Sequence, residues 1–473
     1  MSVLTVGTFL NEKGYSVKII DVVPYHEVSD ESYLKILERE LDDAICVGIS
    51  AMTAQVSNAL EISQFIRNRC PDLPIIWGGV HPSLFPAQTS KDPLVDFVVY
   101  GEGEETTLEL LIELEKETPK FQDIKGFAYD GYVNPPREFM DINKLPFLNH
   151  DLLDLRFYLE RPVPIIFSDN KKMRKLVMLS SRGCPYRCTF CINKVTKSGW
   201  RAQDADRFLD EFEFIVEKYK LDMIRPLDEN FFVNKKRAQA IIKKMKERKI
   251  DVKWGTNIRA NYFRENYVTV DFAKELKSVG FEFATMGAES GSNEVLKSLK
   301  KDITTEDLLN SAKVCASSGI IPVYSWMIAL PGKTIEEMKT NIIIMKQINK
   351  ICPSARHYDN FIFRPYPGGE LYEQCKKLGL YEPVSLREWA NTNMNTGYKS
   401  LEDLPWVTDP EFIRFLSENS NYLVYDFKNL KKLTESNLSM IYSITPKLRW
   451  KFNFFKYQDE EKFIKDKIIN FLR

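Results

Sequence analysis

The segment Ser181-Arg-Gly-Cys184-Pro-Tyr-Arg-Cys188-Thr-Phe-Cys191 decides how this chain is organised. Three cysteines lie within eight residues, separated by three and then by two other residues. A four-iron cluster takes one protein ligand per iron, so three thiolates leave one iron open to a small molecule. The spacing therefore predicts a metal cluster with one reactive iron.

Two structural explanations of the same cysteines are disfavoured. Structural zinc needs a fourth ligand nearby, yet the next cysteine is Cys315 and no histidine occurs between His150 and His357. A disulfide framework is typical of short secreted chains, whereas this chain spreads 8 cysteines over 473 residues. The remaining cysteines lie mostly in apolar runs, where buried free thiols are common: Cys46, Cys70, Cys315, Cys352 and Cys375.

The motif CxxxCxxC, with the aromatic residue Phe190 before its last cysteine, resembles the signature of the radical S-adenosylmethionine (SAM) family. The resemblance implies that Cys184, Cys188 and Cys191 hold a 4Fe-4S cluster and that Phe190 lies at the cofactor. In that family the open iron binds the amino and carboxylate groups of SAM. One electron then breaks a carbon–sulfur bond and releases a 5′-deoxyadenosyl radical.

Composition disfavours a nucleic-acid partner, a membrane span and export. Lysine plus arginine equals aspartate plus glutamate at 66 each, so no overall field favours nucleic acid. The sequence has no apolar run of about 18 residues and no charged-then-apolar leader. We therefore expect a cytoplasmic protein of two or three domains.

Residues 1–115 alternate between short apolar runs and stretches with helical spacing. This alternation predicts a doubly wound, flavodoxin-like α/β sheet. The predicted strands are Val17–Ile20, Ala44–Ser50, Ile75–Trp77 and Phe97–Tyr100, and the predicted helices are Tyr33–Leu41, Val56–Ile66 and Thr107–Leu114.

Small and glycine-rich residues follow these strands, where ligands of such sheets bind. Followed by the cysteine motif, they resemble the cobalamin-binding domain of the B12-dependent (class B) branch of the radical SAM family. The resemblance implies that Ser50, Thr53, Gly78 and Gly79 contact cobalamin. His81 is either a cobalt ligand or a loop histidine beside Pro82.

The first domain departs from that family in two ways. The motif Asp-x-His-x-x-Gly, which supplies a histidine to cobalt in many B12 proteins, is absent. The chain also opens on a predicted helix, Ser2 to Gly14, where the family has a strand. We expect a truncated sheet that either closes by shifting its neighbours together or leaves a ragged cleft with weakened cobalamin binding.

Residues 116–174 read as a linker between domains. Lys125 to Val133 predicts a hairpin with Asp130-Gly131 at its turn. Prolines then keep the segment out of long helices.

Residues 175–382 predict a partial (β/α)6 barrel, the fold that the radical SAM resemblance implies. Its strand ends should line one pocket. The predicted strands are Leu176–Leu179, Met223–Leu227, Val252–Asn257, Phe281–Gly287, Val323–Leu330 and Tyr358–Arg364.

Five further residues at these strand ends are candidates for SAM binding. Asp228 and Asn230 resemble the family segment near the SAM amino group, although both could simply cap a helix. Arg259 ends the third strand. Glu289 and Ser290 end the fourth strand, where they could bind the SAM ribose and side chain or start a helix.

Residues 383–473 predict a helical C-terminal region. Its mixed run of basic and aromatic residues, 447–456, favours packing on the protein itself over association with a membrane surface.

Together these features predict a radical SAM enzyme that methylates carbon in a small molecule or lipid precursor, using cobalamin. The resemblance also implies a reducing electron donor such as flavodoxin or ferredoxin. Radical cyclisation or rearrangement is the alternative within enzymes. A cluster-bearing binding protein without catalysis is the alternative outside them.

Overall fold

The computed structural model describes residues 1–22, 30–159, 173–195, 199–264, 267–392, 401–425, 446–447 and 449–451. The chain divides into two compact units. The first comprises residues 1–158, 366–368 and 381–400, and the second comprises the rest. Each unit contains its own sheet.

The first unit contains a five-stranded sheet in the order β1-β2-β3-β4-β5. Strands β1 to β3 run parallel, and β4 and β5 continue the sheet as an antiparallel hairpin. The strands are β1 Val47–Ser50, β2 Ile75–Gly78, β3 Phe97–Val99, β4 Phe127–Tyr129 and β5 Tyr132–Val133. The α-helices up to residue 159 are α1 Ser2–Glu12, α2 Asp30–Leu41, α3 Val56–Arg69, α4 Val80–Leu84, α5 Pro86–Thr89, α6 Glu104–Leu114 and α7 Arg156–Leu159.

The predicted hairpin is confirmed. Asp130 and Gly131 have φ angles of 46° and 80°, which is the geometry of a two-residue turn with both central residues left-handed. Phe127 on β4 packs with Ile76, Val99 and Leu110, so the hairpin completes the core of the sheet.

The predicted strand at Val17–Ile20 is wrong. These residues form no strand, and the side chains of Val17 and Ile19 pack instead against Gly7 of α1. Within the described residues β1 pairs only with β2, and Gly48 and Ser50 are exposed. A strand needs a hydrogen-bonded neighbour. No strand among the described residues pairs with residues 17–20, so this segment stays outside the sheet.

The second unit contains six parallel strands in the order β13-β12-β11-β10-β9-β6. The predicted partial barrel is therefore confirmed. Its strands are β6 Lys175–Met178, β9 Met223–Pro226, β10 Lys253–Asn257, β11 Phe281–Glu289, β12 Ile321–Ile328 and β13 Arg356–Ile362, and a small separate ladder pairs β7 Ser181–Arg182 with β8 Arg201–Ala202.

Helices alternate with these strands, as the right-handed crossover of parallel strands requires. They are α8 Ile192–Val195, α9 Ala205–Tyr219, α10 Lys235–Arg248, α11 Val270–Ser278, α12 Asn293–Ser298, α13 Thr305–Ser318, α14 Ile335–Ile351 and α15 Glu370–Lys377. Tyr324 and Trp326 of β12 are fully buried, and both pack on the ring of His357. They therefore fill the core between sheet and helices.

Two more helices follow the barrel. Helix α16, Leu386–Asn391, packs on α3 of the first unit, and α17, Pro410–Val424, packs on β13 of the second. Most of the basic and aromatic run 447–456, which is predicted to pack on the protein itself, lies outside the described residues. No helix among the described residues is long and apolar enough to span a bilayer.

Two glycines of the barrel allow a test of backbone constraint. Gly280 and Gly319 both adopt a left-handed φ, +81° and +72°, which costs a non-glycine residue about 1–2 kcal/mol. An added methyl at Gly280 would also overlap the carbonyl oxygen of Val252, whereas at Gly319 its nearest neighbour lies 3.9 Å away. We expect Gly280→Ala to lower the melting temperature at least twice as far as Gly319→Ala. Equal shifts in circular-dichroism melts would contradict this packing.

Candidate active site

The cysteine loop begins where strand β6 ends. Cys188 is buried, Cys184 and Cys191 are half-buried, and all three are free thiols. The backbone of Thr189 fixes the loop, since its N–H donates to the carbonyl of Leu299 at 3.0 Å and its carbonyl accepts from an N–H of α15 at 3.1 Å. The loop is therefore held from two sides of the barrel.

Two cations lie beside the thiols. Burial raises the pKa of the Cys184 and Cys191 thiols. The positive charge of Arg259 opposes this rise at Cys184, and that of Lys301 opposes it at Cys191. Nη1 of Arg259 lies 3.7 Å from Sγ of Cys188. The site thus offers positive charge where thiolates must form.

This donor set fits an iron–sulfur cluster. Among the described residues, no three His, Cys, Asp or Glu side chains are placed to hold a single metal ion. A four-iron cluster instead takes one thiolate per iron, so its ligands do not have to converge on one point. Three free thiols on one anchored loop, with compensating cations, satisfy that requirement.

Phe190 connects the loop to the barrel core. Its half-buried ring packs against the apolar cluster that contains Leu330 and Phe363. Nζ of Lys301 lies 5.7 Å from its centroid. The ring therefore positions the last cysteine, and its contact with a cofactor remains a prediction.

Arg259 is buried and held by several groups. Its Cζ lies 3.6 Å from the centroid of the Tyr186 ring, and Nε donates to Oδ1 of Asn261 at 3.2 Å. Nη2 donates to the backbone carbonyl of Lys301. A guanidinium fixed in this way beside the thiols could bind a ligand carboxylate.

Asp228 supports the origin of the cysteine loop. Its fully buried carboxylate accepts four hydrogen bonds, from the N–H and hydroxyl groups of Ser180 and Ser181, at 2.6–3.1 Å. These bonds tie the end of β9 to the end of β6. A direct role for Asp228 at a cofactor remains a prediction.

Asn230 retains an unused acceptor. Its Nδ2 donates to the hydroxyl of Tyr262 at 2.9 Å, and the Tyr186 hydroxyl donates to the same oxygen. The Oδ1 atom of this buried amide has no hydrogen-bond partner. A buried acceptor without a partner is costly, so it favours a ligand donor such as an ammonium group.

Glu289 and Ser290 lie where β11 ends. Glu289 has a φ of 62°, and its Oε1 pairs with Nζ of Lys301 at 2.6 Å, with both side chains 10% exposed. A side chain at Gly287 would overlap this ion pair, which explains the glycine. The Ser290 hydroxyl accepts from the N–H of Ser292 at 3.1 Å. Glu289 therefore reaches the cysteine loop through Lys301, and Ser290 shapes the turn.

Three residues of this site were not predicted from the sequence. Lys301 and Tyr262 connect the predicted residues, and no motif marks either of them. The third is Glu229, an exposed residue whose negative charge further raises the pKa of Cys184. Only Glu229 could have been found from the sequence, because it directly follows the predicted site residue Asp228.

The residues predicted to contact cobalamin lie together in the first unit. Gly79 has a φ of +95°, and a side chain there would lie 2.8 Å from Oγ of Ser50. Gly78 and Ser50 are neighbours in the parallel ladder. The strand ends thus approach closely and leave backbone accessible, as a large flat ligand requires.

Thr53 and His81 lie deeper in the first unit. His81 is fully buried, its Nδ1 lies 3.3 Å from Oγ1 of Thr53, and burial lowers its pKa to about 4. Its ring packs on Phe85 and on Trp389 of α16. This environment agrees with a packing histidine. Thr53 remains a predicted cobalamin contact.

Removal of the three thiols tests the cluster assignment. We expect the triple variant Cys184→Ala, Cys188→Ala, Cys191→Ala to bind no iron or sulfide after anaerobic reconstitution, because no other thiol set replaces theirs. Cys70→Ala removes a half-buried thiol of the first unit and should retain both. Chemical analysis of iron and sulfide in both variants measures the effect. A triple variant that keeps its iron would refute the assignment.

Glu289 provides a second test. Glu289→Ala should weaken SAM binding with the cluster intact, because it releases the lysine that faces the cysteine loop. Loss of one partner of a buried ion pair can itself cost about 3–5 kcal/mol, so Glu289→Gln serves as a milder variant. Equilibrium binding of SAM to both variants measures the effect. An unchanged affinity for SAM would show that Glu289 has only a structural role.

Comparisons with known proteins agree with this geometry. The sequence model described as the Radical SAM superfamily matches residues 178–342, and the B12 binding domain matches residues 1–111. The chain is 30% identical over 383 residues to an uncharacterized methyltransferase of Pyrococcus horikoshii, covering 79% of this chain and 78% of that protein. It is 23% identical over 335 residues to an anaerobic magnesium-protoporphyrin IX monomethyl ester cyclase of Synechocystis, covering 69% of this chain and 64% of the cyclase.

A solved structure shares the fold. The cobalamin-dependent S-adenosylmethionine radical enzyme OxsB, with aqua-cobalamin and S-adenosylmethionine bound, aligns with a TM-score of 0.65 at 18% identity, over 96% of this chain and 73% of OxsB. The family implies a 4Fe-4S cluster and SAM, and the first domain implies cobalamin. The chain therefore belongs to the radical SAM superfamily and carries a B12 binding domain ahead of its radical SAM domain.

Proposed function

We propose that this enzyme transfers a methyl group to carbon in a small molecule or lipid precursor, with cobalamin as the carrier. The observation that carries the proposal is the anchored loop with three free thiols, in a chain that also has a B12 binding domain. The relative in Pyrococcus horikoshii, whose name denotes a methyltransferase, supports methyl transfer over other radical reactions.

The residues around the loop have separate roles in this proposal. When bound, the cluster supplies the electron that cleaves SAM, and cobalamin supplies the methyl group. Cys184, Cys188 and Cys191 hold the cluster. The free Oδ1 of Asn230 accepts from the SAM ammonium group. Arg259 faces the SAM carboxylate.

The surrounding protein keeps this arrangement in place. Glu289 holds Lys301 beside the cysteine loop through the buried ion pair. Both side chains of this pair are only 10% exposed, and low exposure to water strengthens their electrostatic contact. A flavodoxin or ferredoxin in the cytoplasm would deliver the electron.

A second candidate is radical cyclisation or rearrangement. The similarity to the Synechocystis cyclase favours it, although the chain spans only 64% of that protein. Methyl transfer adds the mass of one methyl group to the product, whereas cyclisation does not. Mass spectrometry therefore distinguishes the two reactions. A binding protein without catalysis would form no 5′-deoxyadenosine.

The test uses anaerobically reconstituted protein produced with hydroxocobalamin. With reductant, cell extract and SAM labelled by deuterium on its methyl group, we expect 5′-deoxyadenosine and an extract component heavier by the labelled methyl. The triple cysteine variant is the control. Deoxyadenosine with an unlabelled, cyclised product would favour the second candidate, and no deoxyadenosine would contradict both.

A further inference from the structure

One guanidinium lies inside the barrel, away from the cysteine loop. Trp254 on β10 packs against Phe212 of α9 and therefore faces the helices. Arg225 on β9 lies one residue past Ile224, the neighbour of Trp254 in the ladder. Because successive strand residues face opposite sides, Arg225 points to the inner face of the sheet.

Apolar side chains line the inner face beside Arg225. Met223, Phe283 and Val323 form a buried cluster there with Met173, which we call the barrel floor. Cζ of Arg225 lies 5.4 Å from the centroid of the Phe283 ring. The guanidinium therefore stacks on the barrel floor.

Arg225 is also well below the cysteine loop. It is level with Val177 on β6, three residues before Ser180, where the loop is anchored. At about 3.3 Å per residue, that separation is about 10 Å along the strand. A small molecule could span the distance from the guanidinium to the mouth of the barrel.

Among the described residues, Arg225 contacts only uncharged groups. Its Nη2 donates to Oδ1 of Asn257 and to Oγ1 of Thr285, both at 3.3 Å. Its buried Nε has no hydrogen-bond partner. No carboxylate of the described residues forms an ion pair with it. The positive charge is therefore uncompensated by the described protein.

Asn257 is itself oriented by a further hydrogen bond. Its Nδ2 donates to the backbone carbonyl of Asp228 at 2.8 Å, which directs its Oδ1 oxygen toward Arg225. The guanidinium is thus held by the ring of Phe283 and by polar groups from β10 and β11. Such support is typical of a preorganised recognition group.

A cation beside an apolar surface is expensive unless an anion accompanies it. Arginine also presents a planar fork that matches carboxylate and phosphate oxygens. We propose that Arg225 binds an anionic group of the methyl acceptor, a carboxylate or a phosphate, so that the rest of the acceptor extends toward the cysteine loop. The proposal rests on the proposed function, since it assumes that the acceptor enters the barrel.

The test measures anion binding without turnover. Reconstituted protein with bound SAM and no reductant is titrated by calorimetry with inorganic pyrophosphate and, separately, with malonate. Arg225→Met removes the charge, and Arg225→Lys keeps the charge without the fork. Arg248→Met is the matched control, because Arg248 pairs with Asp210 and Glu213 on the outside of the same domain.

We expect at least one anion to bind, with affinity about 10- to 100-fold weaker in Arg225→Met, the loss typical of a hydrogen bond to a charged group. Arg225→Lys should be intermediate and Arg248→Met unchanged, and the tighter of the two anions identifies phosphate or carboxylate chemistry. No binding to the native protein, or equal binding to Arg225→Met, would overturn the proposal. Deoxyadenosine formation after reductant and cell extract are added to the same preparations tests the proposed function independently.

Discussion

The four hydrogen bonds that the Asp228 carboxylate accepts from Ser180 and Ser181 are the constraint on which the site depends. They join the ends of β6 and β9 at the point where the cysteine loop leaves the sheet. Arg237 reinforces them from α10, since its Nη2 donates to the Ser180 hydroxyl at 2.8 Å. In a buried setting these charge-assisted bonds are strong and costly to break. They fix the residues that lead into the cysteine loop, and so they orient the three thiols.

The barrel around this anchor divides into two chemical zones. Near the cysteine loop, Arg259 and the ion pair of Lys301 with Glu289 supply charge that can hold a polar cofactor. Lower down, the apolar floor and Arg225 offer a different surface. Because parallel strands place their ends at one mouth, a cofactor bound above and an acceptor bound below would meet on the barrel axis. This arrangement matches a reaction that passes a radical from one ligand to the other.

The sequence predicts most of the architecture but only part of the site. Motif spacing predicts the cysteine loop, and apolar periodicity predicts the six barrel strands, because both signals are local. The strand predicted at Val17–Ile20 failed because strand formation depends on a neighbour that is distant in sequence. Lys301 and Arg225 were not predicted either, because their contacts also come from residues distant in sequence. A lysine or arginine looks solvated in sequence, and only the folded barrel shows the groups against which it packs.

The most direct test of the central claim asks whether three thiolates leave one iron open to SAM. Electron paramagnetic resonance of the anaerobically reconstituted, reduced protein should give a cluster signal that shifts when SAM is added. The signal should broaden further when the SAM carboxylate is enriched in oxygen-17, because that group would bind the open iron. A cluster signal that SAM leaves unchanged, in protein shown by equilibrium binding to hold SAM, would contradict the account.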